Sequence, residues 1–257
     1  MKIATFNANS VRVRLPVILK WLKAQAPDVL ALQETKVEDR DFPAEPFREA
    51  GYHAVFRGGK AYAGVAILAR TPPAAVRFGL DDGGEPDGNR LLQAKVGPVM
   101  IVNTYVPQGR EIDHPMYRYK LEWFGRLRRQ FERRFTPRAK VVWLGDLNIA
   151  PEAIDIHNAP AQANHVCFHA DARNAFAHAR DWGFVDVFRA HHPEPGCYTF
   201  FDYRFPQAAR LGRGWRVDHI LATRSLAAKC TASEIDVKPR FAVKPSDHTF
   251  LWAEFDV

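Results

Sequence analysis

Short apolar runs followed by polar side chains recur along this chain. The clearest is residues 141–144 (VVWL), which predict a buried strand. Gly145 interrupts the run, Asp146 and Asn148 follow two positions apart, and Pro151 ends the segment. Residues i and i+2 of an extended backbone point to the same side, so the spacing predicts a carboxylate and a carboxamide together at the end of a rigid strand. A strand followed by an ordinary Asx-type turn explains the same residues.

Further apolar runs predict strands over residues 2–6, 28–35, 64–69, 99–106, 216–222 and 250–255. Most of them have an acid, an amide or a tyrosine at or near one end: Asn7, Glu34, Tyr105, Asp218, and Asp247 with His248. One polar residue at a strand end is common, but several with complementary chemistry are poorly explained as turns. They would meet if the strands lay side by side with their polar ends on one rim.

Helices are predicted between the strands. Apolar residues from Leu15 to Leu22 have the three- and four-residue spacing of an amphipathic helix, and residues 116–135 and 171–182 are predicted to form two more. Alternating strands and helices indicate an α/β protein. No linker, internal repeat or low-complexity tract interrupts the pattern, so we expect a single domain over residues 1–257.

The balance of charge suggests a polyanionic partner. The 257 residues include 36 Lys and Arg against 29 Asp and Glu, a net charge of +7 with neutral His. This excess favours nucleic acid over a membrane surface, although a merely soluble basic protein has the same balance. No apolar run reaches the ~18 residues of a membrane span, and the N-terminal residues lack the apolar segment of a signal peptide. We therefore expect no membrane association.

The cysteines and histidines form no recognisable disulfide or metal pattern. Three cysteines are scattered along the chain: Cys167, Cys197 and Cys230. Their odd number and spacing argue against a disulfide framework or a zinc knuckle and for a reducing compartment, so we expect a cytoplasmic protein. His157, His165 and His169 lie in a polar loop without the spacing of a compact zinc site, and we expect them to be surface residues.

Seven motifs, taken together, resemble those of a known family. They are residues 6–12 (FNANSVR), 32–36 (LQETK), 105–109 (YVPQG), 145–151 (GDLNIAP), 201–204 (FDYR), 216–219 (RVDH) and 245–248 (PSDH). Each motif alone is weak. The ordered set covers the whole chain and is similar to that of the exonuclease III family of abasic-site endonucleases.

This resemblance implies a fold and an activity. The fold is the DNase I-like four-layer α/β sandwich, in which two packed mixed β-sheets have helices on both outer sides. The activity is Mg²⁺- or Mn²⁺-dependent hydrolysis of phosphodiester bonds in double-stranded DNA, with incision 5′ to abasic sites and trimming of 3′ ends. We expect the protein to act on this DNA as a monomer.

The same match gives the acidic and amide strand ends a role in metal binding. Glu34 would ligate the metal, with Asn7 and Asp247 near it. Asp146 would orient or deprotonate the attacking water, assisted by Asn148, and both are also expected metal ligands. Carboxylate oxygens suit Mg²⁺, which keeps several waters and binds through one or two carboxylates.

The remaining matched residues would act on the phosphate. His248, held by Asp218, would contact the scissile phosphate, and Tyr105 and Gln108 would bind the phosphate or the leaving oxygen. A buried Asp218 partner would raise the pKa of His248 and keep it cationic. No Ser or Cys nucleophile with a paired base is evident, so direct attack by water is favoured.

Abasic recognition requires a small apolar pocket, because a flipped-out sugar must enter where an intact nucleotide cannot. Phe200, Trp215 and Val217 are the candidates, with the last two lying two apart on one predicted strand. Similar apolar positions line the pocket of the resembled family; plain core residues are the alternative. Phe200 stands where several bacterial members have Trp, Ser10 stands where many have Gly, and the loop over residues 157–170 matches poorly.

Two other functions are alternatives to a DNA nuclease. A phosphodiesterase of this fold could act on a phospholipid or phosphoinositide, but the motifs at 105–109 and 201–204 and the basic charge favour DNA. A catalytically inactive nucleic-acid-binding module would have no need of the complete set of polar groups. Divalent-metal-dependent turnover would distinguish an enzyme from the inactive binding module. Activity on an abasic duplex against activity on lipid phosphodiesters would distinguish the DNA nuclease from the lipid phosphodiesterase.

Overall fold

The computed structural model describes residues 1–59 and 63–257 and contains two six-stranded sheets. The strands are β1 (Lys2–Asn7), β2 (Val29–Gln33), β3 (His53–Arg57), β4 (Val65–Ala69), β5 (Ala74–Phe78), β6 (Leu91–Val96), β7 (Val99–Tyr105), β8 (Val141–Asp146), β9 (Phe184–Asp186), β10 (Asp218–Thr223), β11 (Cys230–Asp236) and β12 (Phe250–Phe255). The first sheet has the order β11-β12-β1-β2-β4-β3 and the second β5-β6-β7-β8-β10-β9. The pairs β1–β2 and β7–β8 are parallel, so both sheets are mixed.

Helices cover the outer face of each sheet. They are α1 (Val11–Gln25), α2 (Ala44–Glu49), α3 (Pro115–Arg134), α4 (Ala170–Arg180), α5 (Val187–His191) and α6 (Arg224–Ala227). Short 3-10 helices occur at Asp39–Asp41, Ala153–Asp155, Ala159–Gln162 and Lys238–Phe241. The buried faces of α1 and α2 pack on the first sheet, and those of α3 and α4 pack on the second.

Alternate residues of the central strands enter different cores. In β8, Val142 and Leu144 face the core between the sheets, whereas Val141 and Trp143 face the core beneath α3 and α4. A strand that is buried on both faces must be apolar at every position, which is why these strands appear as continuous apolar runs in the sequence. The predicted four-layer α/β sandwich is confirmed.

A buried polar contact joins the two sheets. Gln33 of β2 donates to Asn103 Oδ1 of β7 over 2.7 Å, and Asn103 Nδ2 donates to the carbonyls of Leu32 and Ala66, each over 2.9 Å. Both amides are fully buried, so these bonds remove the cost of unsatisfied polar groups in the core. They therefore hold the strands that carry the neighbouring Glu34 and Tyr105 in fixed relative positions.

Several strands are absent from the sequence prediction. Strands β3, β5 and β11 are sheet edges with mixed exposure, and β6 contains Gln93, Ala94 and Lys95, which have low strand propensity. The aromatic segment at 197–203 contains no regular strand. It forms only isolated bridges, at Phe200.

The described helices and the cysteines bear on membrane association and on disulfide bonding. Within the described ranges, no helix combines the length and the apolar character needed to cross a bilayer. All three cysteines are free thiols, and Cys167 is buried. The absence of a disulfide framework agrees with the sequence analysis.

Candidate active site

The polar strand ends converge on one rim of the two sheets. In the strand registers, Asn7 pairs with Gln33, the neighbour of Glu34, and Asp146 pairs with both Tyr105 and Asp218. Strand β10 runs antiparallel to β8, so its first residue meets the last residue of β8. The expected convergence is therefore a consequence of sheet register.

A glycine allows β8 to approach its neighbour just before Asp146. Gly145 has φ +129°, and a Cβ there would lie 2.0 Å from the carbonyl oxygen of Thr104. A side chain at this position would therefore force β7 and β8 apart. Any such displacement would move Asp146, the next residue.

The chain turns after Asp146 instead of continuing as a strand. β8 ends at Asp146, Asn148 has φ +49°, and the Asn148 backbone N–H donates to Asp146 Oδ1 over 2.9 Å. This is an Asx-type turn, so the extended geometry expected for these two residues is wrong, although both line the same cavity. The Asn148 side chain donates to the carbonyl of Val106 over 3.0 Å. Its support of Asp146 therefore comes from the backbone amide.

Asn7 links the two central carboxylates. Its Nδ2 donates to Glu34 Oε1 and to Asp146 Oδ2, each over 2.8 Å, and its Oδ1 accepts the backbone N–H of Asn9. This set of partners fixes which way the amide points. The second oxygen of Glu34 lies 2.8 Å from Lys36 Nζ, so both of its oxygens are held.

His248 is held by a buried carboxylate. Its Nδ1 donates to Asp218 Oδ2 over 2.8 Å, and its Nε2 lies 3.9 Å from Asp146 Oδ2. Burial alone would lower the pKa of His248, but the charges of Asp218 and Asp146 outweigh burial and raise it to about 10. The imidazole is therefore cationic at neutral pH, as expected from the sequence.

Burial also shifts the pKa of Asp146 and of Tyr105. Burial raises the pKa of Asp146 to about 7, with Asp218 and Glu34 adding to the effect and His248 opposing it. Burial, followed by Glu34 and Asp146, raises the pKa of Tyr105 well above its usual value. Tyr105 is therefore a neutral phenol that can donate a hydrogen bond.

The donor set on the cavity floor fits a hard cation. One ligand atom each from Glu34, Asp146 and His248 lies within 4.8 Å of the others. A cationic His248 is a poor ligand, which leaves two crowded carboxylates whose mutual repulsion a divalent ion would relieve. Asp247 lies outside this cluster of three; its Oδ1 accepts from Asn9 Nδ2 over 3.0 Å and it borders the same cavity.

A cavity of about 450 Å³ opens above these carboxylates. It is lined by every predicted site residue except Asn7 and Asp218, namely Glu34, Tyr105, Gln108, Asp146, Asn148, Phe200, Trp215, Val217, Asp247 and His248. Asn7 and Asp218 lie behind the lining and contact it through Glu34, Asp146 and His248. Trp215 precedes β10 and is paired by its backbone with Phe200, which brings the apolar residues together.

Other lining residues were missed by the sequence analysis. They are His157, Gln162, His165, Cys167, Asp202, Arg204, Phe205, Ala208 and Arg213. The expectation that His165 is a surface residue is wrong, because its half-buried ring packs 4.5 Å from the ring of Trp215. The contact joins residues that are far apart in the sequence, and no local pattern signals it.

Comparison with known proteins assigns the chain to a protein family. The endonuclease/exonuclease/phosphatase family matches residues 4–248. The chain belongs to this family. Exodeoxyribonuclease III of Haemophilus influenzae is 32% identical, over 99% of this chain and 100% of the relative. The sequence resemblance to the exonuclease III family is confirmed, and with it the class of hydrolytic nuclease.

Solved structures of the endonuclease/exonuclease/phosphatase family share the fold over the whole chain. An AP endonuclease from Archaeoglobus fulgidus is 50% identical, with a TM-score of 0.98 and 100% of both chains covered. A 3′–5′ exonuclease, NExo, from Neisseria meningitidis is 38% identical, with a TM-score of 0.94 and 100% of both chains covered. These likenesses favour a DNA-repair nuclease and do not favour the lipid phosphodiesterase considered from the sequence.

Proposed function

We propose that this chain hydrolyses phosphodiester bonds of duplex DNA in a metal-dependent reaction, incising 5′ to abasic sites and trimming 3′ ends. The observation that carries the proposal is the cluster of Glu34, Asp146 and His248, whose ligand atoms lie within 4.8 Å of one another beneath a cavity with an apolar wall. The named relatives include an AP endonuclease and a 3′–5′ exonuclease, which supports both the incision at abasic sites and the trimming of 3′ ends.

The metal proposed is Mg²⁺ or Mn²⁺. Glu34 and Asp146 would hold it, with Asn148 and Asp247 offering further oxygens and Asn7 orienting both carboxylates. When bound, the ion supplies charge neutralisation at the phosphate oxygens. Oxygen ligands of this kind are typical of these two ions.

The side chains around the phosphate have separable tasks. Asp146 orients the attacking water and accepts its proton, because it lines the cavity and is held in place by Asn7 and by the backbone amide of Asn148. Cationic His248, fixed by Asp218, contacts the nonbridging oxygens, where negative charge increases during attack. Tyr105 and Gln108, which also line the cavity, donate to the phosphate or to the leaving 3′ oxygen.

The apolar wall is proposed to select the abasic sugar. Phe200, Trp215 and Val217 line the cavity, and His165, which also lines it, packs against Trp215. A sugar without a base could enter, whereas an intact nucleotide would collide with this wall. Arg204 and Arg213 at the border would attract the flanking phosphates.

The proposed catalytic unit is one domain of residues 1–257 acting as a monomer. Asn7 of the first sheet bonds directly to Asp146 of the second, and the Gln33–Asn103 bond crosses the same interface. The proposed site is thus built from both sheets of one chain. The three free cysteines favour the reducing cytoplasm as its compartment.

A comparison of substrates tests the proposal. Purified protein is assayed with Mg²⁺ on an abasic duplex, a recessed 3′ end, a 3′-phosphate end and a phosphoinositide, each repeated in excess EDTA. We expect cleavage of the DNA substrates that EDTA abolishes, and no release from the lipid. Full activity in EDTA would overturn metal dependence, and activity confined to the lipid would replace DNA as the substrate.

A further inference from the structure

A lysine ammonium is buried beneath the cavity. Lys120, on α3, is fully buried, and its Nζ donates to the carbonyl oxygens of Asn148 over 2.7 Å, Val166 over 2.8 Å and Gln108 over 3.2 Å. An ammonium has three N–H groups, so these acceptors use its full donor capacity. The sulfur of Cys167 lies 3.9 Å away. In the described part of the chain, the ammonium makes no ion pair with a carboxylate.

The three carbonyls belong to three separate loops of the proposed site. Gln108 follows β7 and lines the cavity, and Asn148 follows β8 and lines it as well. Val166 lies between His165 and Cys167, which both line the cavity. Each loop is distant from the other two in sequence, and Lys120 is the point at which their backbones are joined.

Packing around Gly109 brings one of these loops directly against α3. Gly109 has φ +104°, and a Cβ there would lie 3.2 Å from Tyr117 Cδ2, 3.4 Å from Val166 Cβ and 3.5 Å from Lys120 Cδ. A side chain at position 109 would crowd the helix and Val166, so the glycine allows this loop to lie close against α3. Movement away from the helix would break the bond between Lys120 and Gln108.

A buried cation at this position is costly, because its charge is removed from water. The hydrogen bonds to the three carbonyls offset that cost, and loss of Lys120 would leave these carbonyls without its donors. The neighbouring buried positions of α3 are apolar, as at Trp123, Phe124 and Leu127. What an apolar side chain could not provide is a set of hydrogen bonds to three loops at once.

We infer that Lys120 is a positioning residue, which fixes the loops carrying Gln108, Asn148 and His165 at the spacing that the reaction requires. It touches neither the substrate nor the reacting atoms and acts through the backbone of the residues that do. The inference rests on the proposed nuclease function. It adds a requirement for precise loop placement, because displacing catalytic groups by about 1 Å can cost on the order of 100-fold in rate.

Substitution of Lys120 by Met tests the inference, since Met keeps the length of the side chain and removes every donor. On an abasic duplex with Mg²⁺, we expect Lys120→Met to lower kcat about 10- to 100-fold. The Kd for the same duplex should change less than about threefold, because phosphate contacts spread over the surface supply most affinity. Gln130→Met is the matched control: Gln130 is also fully buried on α3, its side-chain N and O have no partner in the described residues, and it does not line the cavity.

A double-mutant cycle separates positioning from general damage to the fold. Asn148→Ala and Lys120→Met should combine to a smaller loss of kcat than the product of the two single losses, because both act through the same loop. Losses that multiply, or a folded Lys120→Met with kcat within twofold of wild type, would overturn the inference. If Lys120→Met does not fold, Lys120→Gln, which keeps two donors, is judged by the same cycle. A wild-type protein that leaves every DNA substrate intact would instead contradict the proposed function.

Discussion

The proposed general base owes its properties to what surrounds one carboxylate. Asp146 is almost fully buried, accepts bonds from Asn7 Nδ2 and from the Asn148 backbone, and lies 3.9 Å from cationic His248. Burial raises the pKa of Asp146, and the adjacent cation limits that rise. Both bonds to Asp146 hold the carboxylate in place whether or not it carries a proton.

Replacing this carboxylate by an amide tests its role. We expect Asp146→Asn to lose about 100-fold or more in turnover, the scale of removing a general base, while duplex binding survives because the side chain keeps its shape. Single-turnover cleavage and a binding titration on the same abasic duplex provide the measurement. Cleavage at close to the wild-type rate would show that another group activates the water.

The apolar wall makes a separate prediction at the residue scale. Trp215→Ala removes the ring on which His165 packs, so we expect slower abasic incision and weaker exclusion of intact nucleotides. The measured quantity is the ratio of cleavage on abasic and undamaged strands in Trp215→Ala and in Phe200→Ala. A ratio unchanged in both folded variants would mean that these residues are ordinary core. Metal dependence should persist in either case.

At the scale of elements, a paired arginine holds the loop over residues 81–90 against α3. Arg126 donates from Nε and Nη2 to the two oxygens of Asp82, each over 2.8 Å, and from Nη1 to Asp87 over 3.0 Å. Both side chains of the Arg126–Asp82 pair are 11% exposed. The hydrogen bonds from Arg126 lower the pKa of Asp82 from 3.8 to about 2. Charge-assisted bidentate pairs of this kind are the stronger class of ion pair.

The lowered pKa of Asp82 predicts a pH-dependent contribution to stability. A carboxyl whose pKa is lower in the folded than in the unfolded state stabilises the fold above its unfolded pKa, and that stabilisation is lost as pH falls towards the folded value. We therefore expect the difference in unfolding free energy between wild type and Asp82→Asn to be constant above about pH 5 and to shrink between about pH 4 and pH 2. Urea unfolding at several pH values measures it.

Asp81→Asn is the matched control for this titration. Asp81 is adjacent and also pairs with an arginine, Arg134, but its side chain is 69% exposed. Exposed pairs contribute little to stability, so this variant should track wild type across the same pH range. A difference for Asp82→Asn that did not change with pH would remove the ion pair as its cause.

At the scale of the whole molecule, the net charge of +7 predicts a salt-dependent affinity for DNA. If the protein neutralises about four phosphates, raising salt from about 50 to 200 mM should weaken duplex binding on the order of 100-fold. Arg204→Ala, at the cavity border, should reduce the slope by about one unit. Arg48→Ala, an exposed arginine of α2 outside the cavity lining, should leave it unchanged. A flat salt dependence in wild type would count against a DNA substrate.

The sequence predicted the central strands because they are buried on both faces, which requires an unbroken apolar run. It also located most of the candidate site, since Asn7, Glu34, Asp146 and His248 stand at or beside the ends of such runs. The edge strands β3, β5 and β11 were missed, because half-exposed strands need not form unbroken apolar runs. The local sequence pattern therefore identifies strands that are buried on both faces. It also identifies the polar residues at the ends of those strands.

Only the tertiary structure decided which of these groups act on one another. The bond from Asn7 to Asp146 joins residues 139 apart, and the packing of His165 on Trp215 depends on a loop folding over the cavity. Lys120 resembled one more charge on a basic helix, yet its ammonium is fully buried against three backbone carbonyls. Sequence by itself determined the residue types and the strand ends, because burial constrains each position locally. Contacts, burial of charge and pKa depend on distances between remote segments, which exist only once the two sheets have packed.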